Sequence, residues 1–149
     1  MVNWEDKIWL EGRWRFGFIC PRCCLKRYLP NYHAKDASYC FRCSGAEKGR
    51  GWHLANPSGP ERRMIRTLTS MKIPFEREVP LLWYNIDFVI NSTHAIEVDG
   101  GTIHTDLRIH DPIRSVIRLE HIRERYKLLV LTDSQTKNCK RALQEYLQS

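Results

Sequence analysis

Acidic side chains cluster near the ends of two apolar segments of the sequence. Asp87 lies in one segment, and Glu97 and Asp99 lie in the next one along the chain. Side chains alternate between the two faces of a strand, so Glu97 and Asp99 share a face while Ile96 and Val98 point into a core. A single aspartate at a strand end is usually a turn residue. The joint pattern instead predicts that three carboxylates converge, provided that the strand with Asp87 pairs beside the other.

Carboxylates held this close repel one another and favour a hard divalent cation, which predicts Mg²⁺ or Mn²⁺ as a catalytic cofactor. Such a cation, bound to a phosphate, offsets negative charge in the transition state and lowers the pKa of a coordinated water. His104 follows Asp99 by five residues, where an imidazole could act as a base or steady the water or the leaving oxygen. The pattern predicts hydrolysis of a phosphodiester bond.

Two Cys-x-x-Cys pairs enclose 16 residues, which is within the spacing of a four-cysteine zinc site; the residues are Cys20, Cys23, Cys40 and Cys43. Two such turns complete the tetrahedron that a structural zinc ion needs. Free or redox-active thiols are the alternative interpretation. Cys24 and His33 are alternative ligands, although Cys24 directly follows a ligand and should point elsewhere. The sequence predicts one structural Zn²⁺.

The charge balance favours a polyanionic partner. Lys and Arg number 24 against 17 Asp and Glu, a formal net charge of +7, and nucleic acid is the first expectation. A solvated basic surface is the alternative. Residues 1–59 hold ten of the basic and five of the acidic residues, and we expect their aromatic side chains mainly to pack. The predicted DNA contacts are Arg13, Arg15, Lys26, Arg27, Lys48 and Arg50.

Neither a membrane span nor a secretory signal is evident from the sequence. No run of 18 or more apolar residues occurs, and the first residues lack the basic-then-apolar layout of a signal peptide. Six cysteines would suit a secreted disulfide framework, but their pairing as Cys-x-x-Cys favours metal binding. The expected location is the cytoplasm of a bacterial or phage-infected cell.

A turn-rich segment at residues 56–60 contains two prolines and one glycine and predicts a domain boundary. Residues 1–59 would form a zinc-binding module that contacts DNA, and residues 60–149 the catalytic domain. Apolar periodicity in the second part predicts the order αβββαβα. The expected fold class is α/β (α+β), a mixed β-sheet flanked by helices. The predicted elements are helix 61–71, strands 75–79, 84–90 and 94–98, a helix ending near 126, strand 128–131, and a last helix after Ser134.

Residues 60–149 resemble the PD-(D/E)xK nuclease superfamily, and more closely its very-short-patch-repair-like branch together with the DUF559 proteins. The resemblance rests on motifs in the family's order, namely Glu61 in an opening helix, Asp87-Phe88-Val89, Ile96-Glu97-Val98-Asp99-Gly100 with His104, Asp111 with Arg114, and Tyr126-Lys127-Leu128-Leu129-Val130-Leu131. It implies a restriction-endonuclease-like core.

The resemblance also implies roles for particular residues. Mg²⁺ would bind Asp87, Glu97 and the backbone carbonyl of Val98, and Glu61 would assist through the metal shell. The superfamily's lysine is missing because Asp99 stands in its place. His104 would take over that role, as in the patch-repair branch.

Glu61, Asp87, His104 and Asp106 also resemble the EDxHD pattern of phage homing endonucleases, which join such a catalytic domain to separate DNA-binding modules. The function implied is a metal-dependent DNA endonuclease of a phage or mobile element, active in homing or in site-directed or structure-directed nicking. A host-type mismatch-repair or junction-resolving nuclease is one alternative. A non-catalytic zinc-containing DNA-binding module is another. Cleavage of both strands in one encounter would require a dimer.

Overall fold

The computed structural model describes residues 2–30, 37–99 and 112–149, with side chains in the last range from residue 115 onward. The described chain is a mixed α+β protein with two sheets and four α-helices. In chain order the elements are β1 (Val2–Leu10), β2 (Arg13–Ile19), β3 (Lys26–Pro30), α1 (Phe41–Ala55), α2 (Gly59–Ser70), β4 (Glu76–Leu81), β5 (Tyr84–Ile90), β6 (His94–Asp99), α3 (Pro112–Arg123), β7 (Lys127–Thr132), a 3-10 helix (Gln135–Asn138) and α4 (Lys140–Gln148).

Strands β1, β2 and β3 form an antiparallel sheet in that order. Glu11 and Gly12 connect the first two strands, and both have positive φ, 50° and 74°. Positive φ at both central residues is the requirement of a two-residue hairpin turn that follows the strand twist. Glycine meets this requirement without strain, so Gly12 favours this turn.

A register shift between Asn3 and Lys7 interrupts the pairing of β1 with β2. Beyond it the Asp6 side chain crosses over Gly17, where a Cβ atom would collide with the carboxylate. Asp6 pairs there with Lys26 at 2.7 Å and accepts a hydrogen bond from the Tyr28 hydroxyl at 3.1 Å. Gly17 is therefore needed for the close approach of a side chain that links all three strands.

Strands β4 to β7 form the second sheet, with β5 and β6 antiparallel and β6 and β7 parallel. Phe88, Ile90, Ile96 and Val98 face one side and pack in one buried cluster with residues of α2 and α4. Arg118 of α3 pairs with the opposite side of β6. Helices thus cover both faces of a mixed sheet, and the strand positions predicted from the sequence are confirmed.

The chain divides into two compact units that are not two continuous segments. Residues 1–51 and 80–84 form the first unit, and residues 52–79 and 85–149 form the second. The division of function between residues 1–59 and 60–149 stays a prediction. Of the helices in the described ranges, none has both the length and the apolar character needed to cross a membrane.

Arg22 explains why the turn at residues 80–84 belongs to the first unit. Its side chain, only 4% exposed, donates to the carbonyls of Leu82 at 2.8 Å and Tyr84 at 2.5 Å and pairs with Glu47 at 2.6 Å. A buried guanidinium requires such partners for its N–H groups. Arg22 is therefore a structural residue of the first unit.

Candidate metal centres and basic surface

The four predicted zinc ligands lie together and are all buried. The Sγ atoms of Cys20, Cys23, Cys40 and Cys43 lie within 4.8 Å of one another. The Cys23 and Cys40 sulfurs are 3.9 Å apart, whereas a disulfide would hold them at about 2 Å. Tetrahedral zinc with Zn–S distances of about 2.3 Å spaces its sulfurs by about 3.8 Å. The four cysteines could therefore bind one zinc ion with little rearrangement.

Two different local structures present these thiols. The first pair lies on the tight turn between β2 and β3, where the Cys24 amide donates to the Cys20 carbonyl at 2.8 Å. The second pair begins α1, and the Ser44 amide donates to the Cys40 carbonyl at 2.8 Å. A tight turn and the start of a helix therefore supply the two halves of the cysteine group.

The Cys20 sulfur is stabilised as an anion by backbone N–H groups. Burial opposes its ionisation, but backbone N–H groups, foremost that of Cys40 at 3.4 Å, together lower its pKa to about 6. Burial instead raises the pKa of Cys23 and Cys43, and neighbouring thiols add to the effect on Cys43. Four thiols this close resist joint ionisation, so a bound cation would be needed to stabilise all four thiolates.

The alternative ligands differ in outcome. Cys24 is exposed and has a positive φ of 57°, and it is not among the residues whose sulfurs converge. This agrees with the expectation that its side chain points elsewhere. His33 lies outside the described residues.

A second group of candidate ligands consists of carboxylates. One oxygen from each of Glu61, Glu78 and Asp87 lies within 4.8 Å of the others. Glu61 is oriented by the start of α2, where its side chain accepts from the Ser58 amide at 2.6 Å and the Ser58 hydroxyl accepts from the Glu61 amide at 3.4 Å. This reciprocal capping box orders the first turn of the helix.

Asp87 and Glu97 are joined across β5 and β6. The Glu97 carboxylate accepts from the Asp87 amide at 3.2 Å, and the Asp87 carboxylate accepts from the Val98 amide at 2.7 Å. The antiparallel register, with Phe88 opposite Ile96, brings Asp87 and Glu97 to one face of the sheet. The predicted proximity of these two carboxylates is therefore present in the structure.

Arg118 supplies a positive charge to this pair. It binds Glu97 at 2.6 Å, lies 3.9 Å from Asp87, and donates to the Asn85 carbonyl at 2.9 Å. Burial and the Asp87 charge still raise the pKa of Glu97 to about 8, against the opposing effect of Arg118. One guanidinium therefore offsets only part of the negative charge gathered here.

Glu78 is the member of the cluster that the sequence interpretation missed. It lies within β4 but has φ of 50° and is only 4% exposed. Burial, followed by the charges of Asp87 and Glu61, raises its pKa to about 7. The one available signal for Glu78 was that it is an acidic residue on the strand next to that of Asp87. Strand alternation does not predict the direction of its side chain, because its φ is positive.

The remaining predicted catalytic residues fall into two groups. Asp99 ends β6 on the same face as Glu97, but it is not in the cluster that the described carboxylates form. The amide of Val98 is engaged with Asp87, and the role of its carbonyl stays a prediction. His104, Asp106 and Asp111 lie outside the described residues, as does the side chain of Arg114.

The six predicted DNA contacts differ in their availability. Arg13 and Lys48 are exposed, and Arg27 is half-buried. The other three are engaged with carboxylates, namely Arg15 with Glu11 at 2.5 Å, Lys26 with Asp6 at 2.7 Å, and Arg50 with Glu47 at 3.4 Å. Exposed pairs of this kind exchange easily with solvent ions. DNA contact by any of the six stays a prediction.

Comparisons of the chain with protein-family profiles, with curated proteins and with solved structures find no match.

Proposed function

We propose that this protein is a metal-dependent DNA endonuclease with a structural zinc centre. The observation that supports it is the carboxylate group of Glu61, Glu78 and Asp87, tied through Asp87 to Glu97 on the adjacent strand. Three of these acids, Glu61, Asp87 and Glu97, stand at the positions where the sequence resembles the PD-(D/E)xK nucleases. The restriction-endonuclease-like identity of the core is part of the same proposal.

The donor set fits a hard divalent cation. All the donors are oxygens, as Mg²⁺ and Mn²⁺ prefer. Burial and neighbouring charges raise the pKa of Glu78 to about 7. The carboxyl groups of this cluster therefore do not all ionise readily unless a cation is bound. Octahedral Mg²⁺ separates opposite ligands by about 4.2 Å, and the three oxygens lie within 4.8 Å of one another.

In the proposed mechanism Asp87, Glu97 and the Val98 carbonyl would hold the cation, as the resemblance implies. Of these, only Asp87 belongs to the group of converging oxygens, and its other members, Glu61 and Glu78, would assist through the metal shell. The cation would supply charge compensation at the phosphate and lower the pKa of the attacking water. The hydrogen bonds between Asp87 and Glu97 keep both carboxylates aligned without further ordering during the reaction. Asp99 and His104 retain the roles that the sequence predicts, with His104 as the base.

Nicking of supercoiled plasmid tests the proposal directly. The full chain should nick DNA in Mg²⁺ or Mn²⁺ and not in Ca²⁺ alone. Asp87→Asn should abolish nicking and retain DNA binding, since it removes a candidate ligand without removing positive charge. Glu76→Gln is the matched control, because Glu76 is an exposed acid of β4 outside the cluster.

Two outcomes would refute the catalytic proposal. Nicking by Asp87→Asn at the wild-type rate would remove the assignment of this site. DNA binding by a protein that nicks in no divalent cation would favour a non-catalytic zinc-containing DNA-binding module.

The biological role in homing, mismatch repair or junction resolution, and a phage or mobile-element origin, rest on the resemblance alone. Rates on linear, mismatched and four-way DNA would separate these roles.

A further inference from the structure

An aromatic strip covers the outer half of one face of the β1–β2 hairpin. Trp4, Trp9, Trp14 and Phe16 form it, and we call these residues the hairpin strip. Trp9 pairs directly with Trp14 across the strands, and their rings meet edge to face at 5.2 Å. Trp4 and Phe16 make a similar contact at 4.8 Å. The three tryptophans are 45%, 60% and 46% exposed in chain order.

The strip is not part of the hydrophobic core of its unit. The same face of β2 continues to Phe18, which is 1% exposed and packs with the four cysteines. From Phe16 towards the hairpin turn, the side chains on this face no longer pack with the cysteines and become exposed. Contiguous exposed aromatic area of this kind is typical of an interaction site.

The charges beside the strip favour an anionic partner. The Lys7 ammonium lies 5.0 Å from the centre of the Trp14 ring, and Arg13 is exposed at the end of β2. Two of the three nearby acids, Asp6 and Glu11, are engaged with Lys26 and Arg15, and the third, Glu5, is exposed. Residues 1–51 carry a formal charge of +5, from ten basic and five acidic residues. A partner should therefore combine negative charge with flat apolar groups.

We propose that the hairpin strip stacks against unpaired nucleobases, so that the preferred DNA has a single-stranded or locally unpaired segment. Nucleotides combine a phosphate with an apolar ring face, and aromatic side chains between basic ones are how proteins bind single strands. Bases within an intact duplex already stack on one another and do not offer those faces. This inference rests on the proposed function in one respect only, namely that the nucleic acid bound is DNA.

The test measures binding by the full, zinc-loaded chain in Ca²⁺, without cleavage. The probes are a labelled oligo(dT) of about 20 nucleotides and a duplex of the same length. Trp9→Ala and Trp14→Ala should each weaken oligo(dT) binding by about fivefold or more, and duplex binding by less than about twofold. Trp52→Ala is the matched control, since Trp52 is 62% exposed but lies on α1, and its affinities should not change.

Salt dependence separates stacking from charge. The tryptophan variants should keep the wild-type slope of log affinity against log salt, because a ring neutralises no phosphate. Lys7→Gln should instead lower the slope on single strands by about 0.7. Trp9→Tyr keeps an aromatic ring and should retain most of the affinity. Unchanged zinc content in each variant shows that the unit remains folded.

Three results would overturn the inference. One is an equal loss on oligo(dT) and duplex for the tryptophan variants. Another is no loss on either probe. The third is a wild-type dimer in sedimentation that Trp9→Ala dissociates, since the strip would then be a subunit interface. Because binding is read without cleavage, a protein that binds oligo(dT) through the strip but never nicks DNA would uphold this inference and refute only the nuclease.

Discussion

The cysteine centre and the carboxylate cluster are both groups of candidate ligands whose ligand atoms lie within 4.8 Å of one another. Their negative charge is stabilised in different ways. The four cysteines are buried, and backbone N–H groups bond to Cys20. The N–H group of Cys40, at 3.4 Å, is foremost among these. The carboxylate cluster instead has a positively charged side chain beside it, because the Arg118 guanidinium pairs with Glu97.

We expect this difference to distinguish a site that needs a metal in order to fold from a site that persists without one. Four soft, buried ligands complete a closed tetrahedron, which is typical of structural zinc. The carboxylates share their charge with an arginine, and Asp87 is only partly buried, so we expect them to bind and release a cation while the fold persists. The following predictions test that distinction.

The largest effect should follow loss of a zinc ligand. Cys20→Ser or Cys43→Ser should unfold residues 1–51, because a structural zinc site contributes about 10 kcal/mol or more to folding. Metal analysis should find about one zinc per wild-type chain and none in these variants, and hydrogen exchange should show loss of protection in β1 to β3. Cys24→Ser should keep zinc, since that thiol is exposed. A zinc-free first unit with intact protection would contradict the distinction.

Loss of a carboxylate should affect catalysis and leave the fold intact. We expect Glu97→Gln to lower the nicking rate about a thousandfold or more, since charge compensation at the phosphate contributes several kcal/mol. Glu78→Gln should also reduce the rate and weaken Mn²⁺ binding, as measured by titration calorimetry. Both variants should melt cooperatively. If Glu78→Gln bound Mn²⁺ as wild type does, Glu78 would be a structural carboxylate only.

Arg118→Met should separate the charge of the guanidinium from its packing. Glu97 would then be buried without its hydrogen-bonding partner, which costs about 1–3 kcal/mol in metal-free protein. Mn²⁺ should restore part of this stability and bind more tightly than to wild type, because a competing positive charge has been removed. Denaturant unfolding with and without Mn²⁺ measures both effects.

Arg123→Met is the control for that experiment. Arg123 lies on the same helix, but its ion pair with Glu120 is exposed, so its removal should cost less than about 1 kcal/mol. Weaker Mn²⁺ binding by Arg118→Met would show that Arg118 mainly orders the site.

The smallest effects should come from single basic residues of the first unit. Arg13→Gln should lower the slope of log affinity against log salt on duplex DNA by about 0.9. Arg15→Gln should change it less, because Arg15 is already engaged with Glu11. Fluorescence anisotropy over a range of salt concentrations measures both slopes. Equal slopes for Arg13→Gln and wild type would remove Arg13 from the DNA contacts.

The sequence predicted most of the second sheet because its signals are local. Alternation and apolar runs located β5, β6 and β7 to within one residue. The spacing of the cysteines likewise predicted a metal site, which the converging sulfurs support. These features depend on neighbours in the chain, so a single sequence contains them.

The features that the sequence did not predict depend on distant residues. Arg118 lies among apolar residues of α3, and nothing in that helix indicates Glu97 as its partner. The side chain of Glu78 lies in the cluster because the backbone of this residue, within β4, has a positive φ. The compact first unit likewise includes residues 80–84, where the Leu82 carbonyl accepts a hydrogen bond from Arg22, and no local pattern indicates this contact. Only the folded chain brings such pairs together.

The contact of Arg22 with the β4–β5 turn also has a consequence for synthesis on the ribosome. Leu82 follows Arg22 by 60 residues, which a ribosome adds in about 3 to 12 seconds at 5–20 residues per second. All four candidate zinc ligands precede Leu82 in the chain, so a zinc ion could bind to them while the carbonyl partners of Arg22 do not yet exist. We therefore expect the first unit to begin folding from its own sequence and to be completed only after synthesis of the second unit is under way.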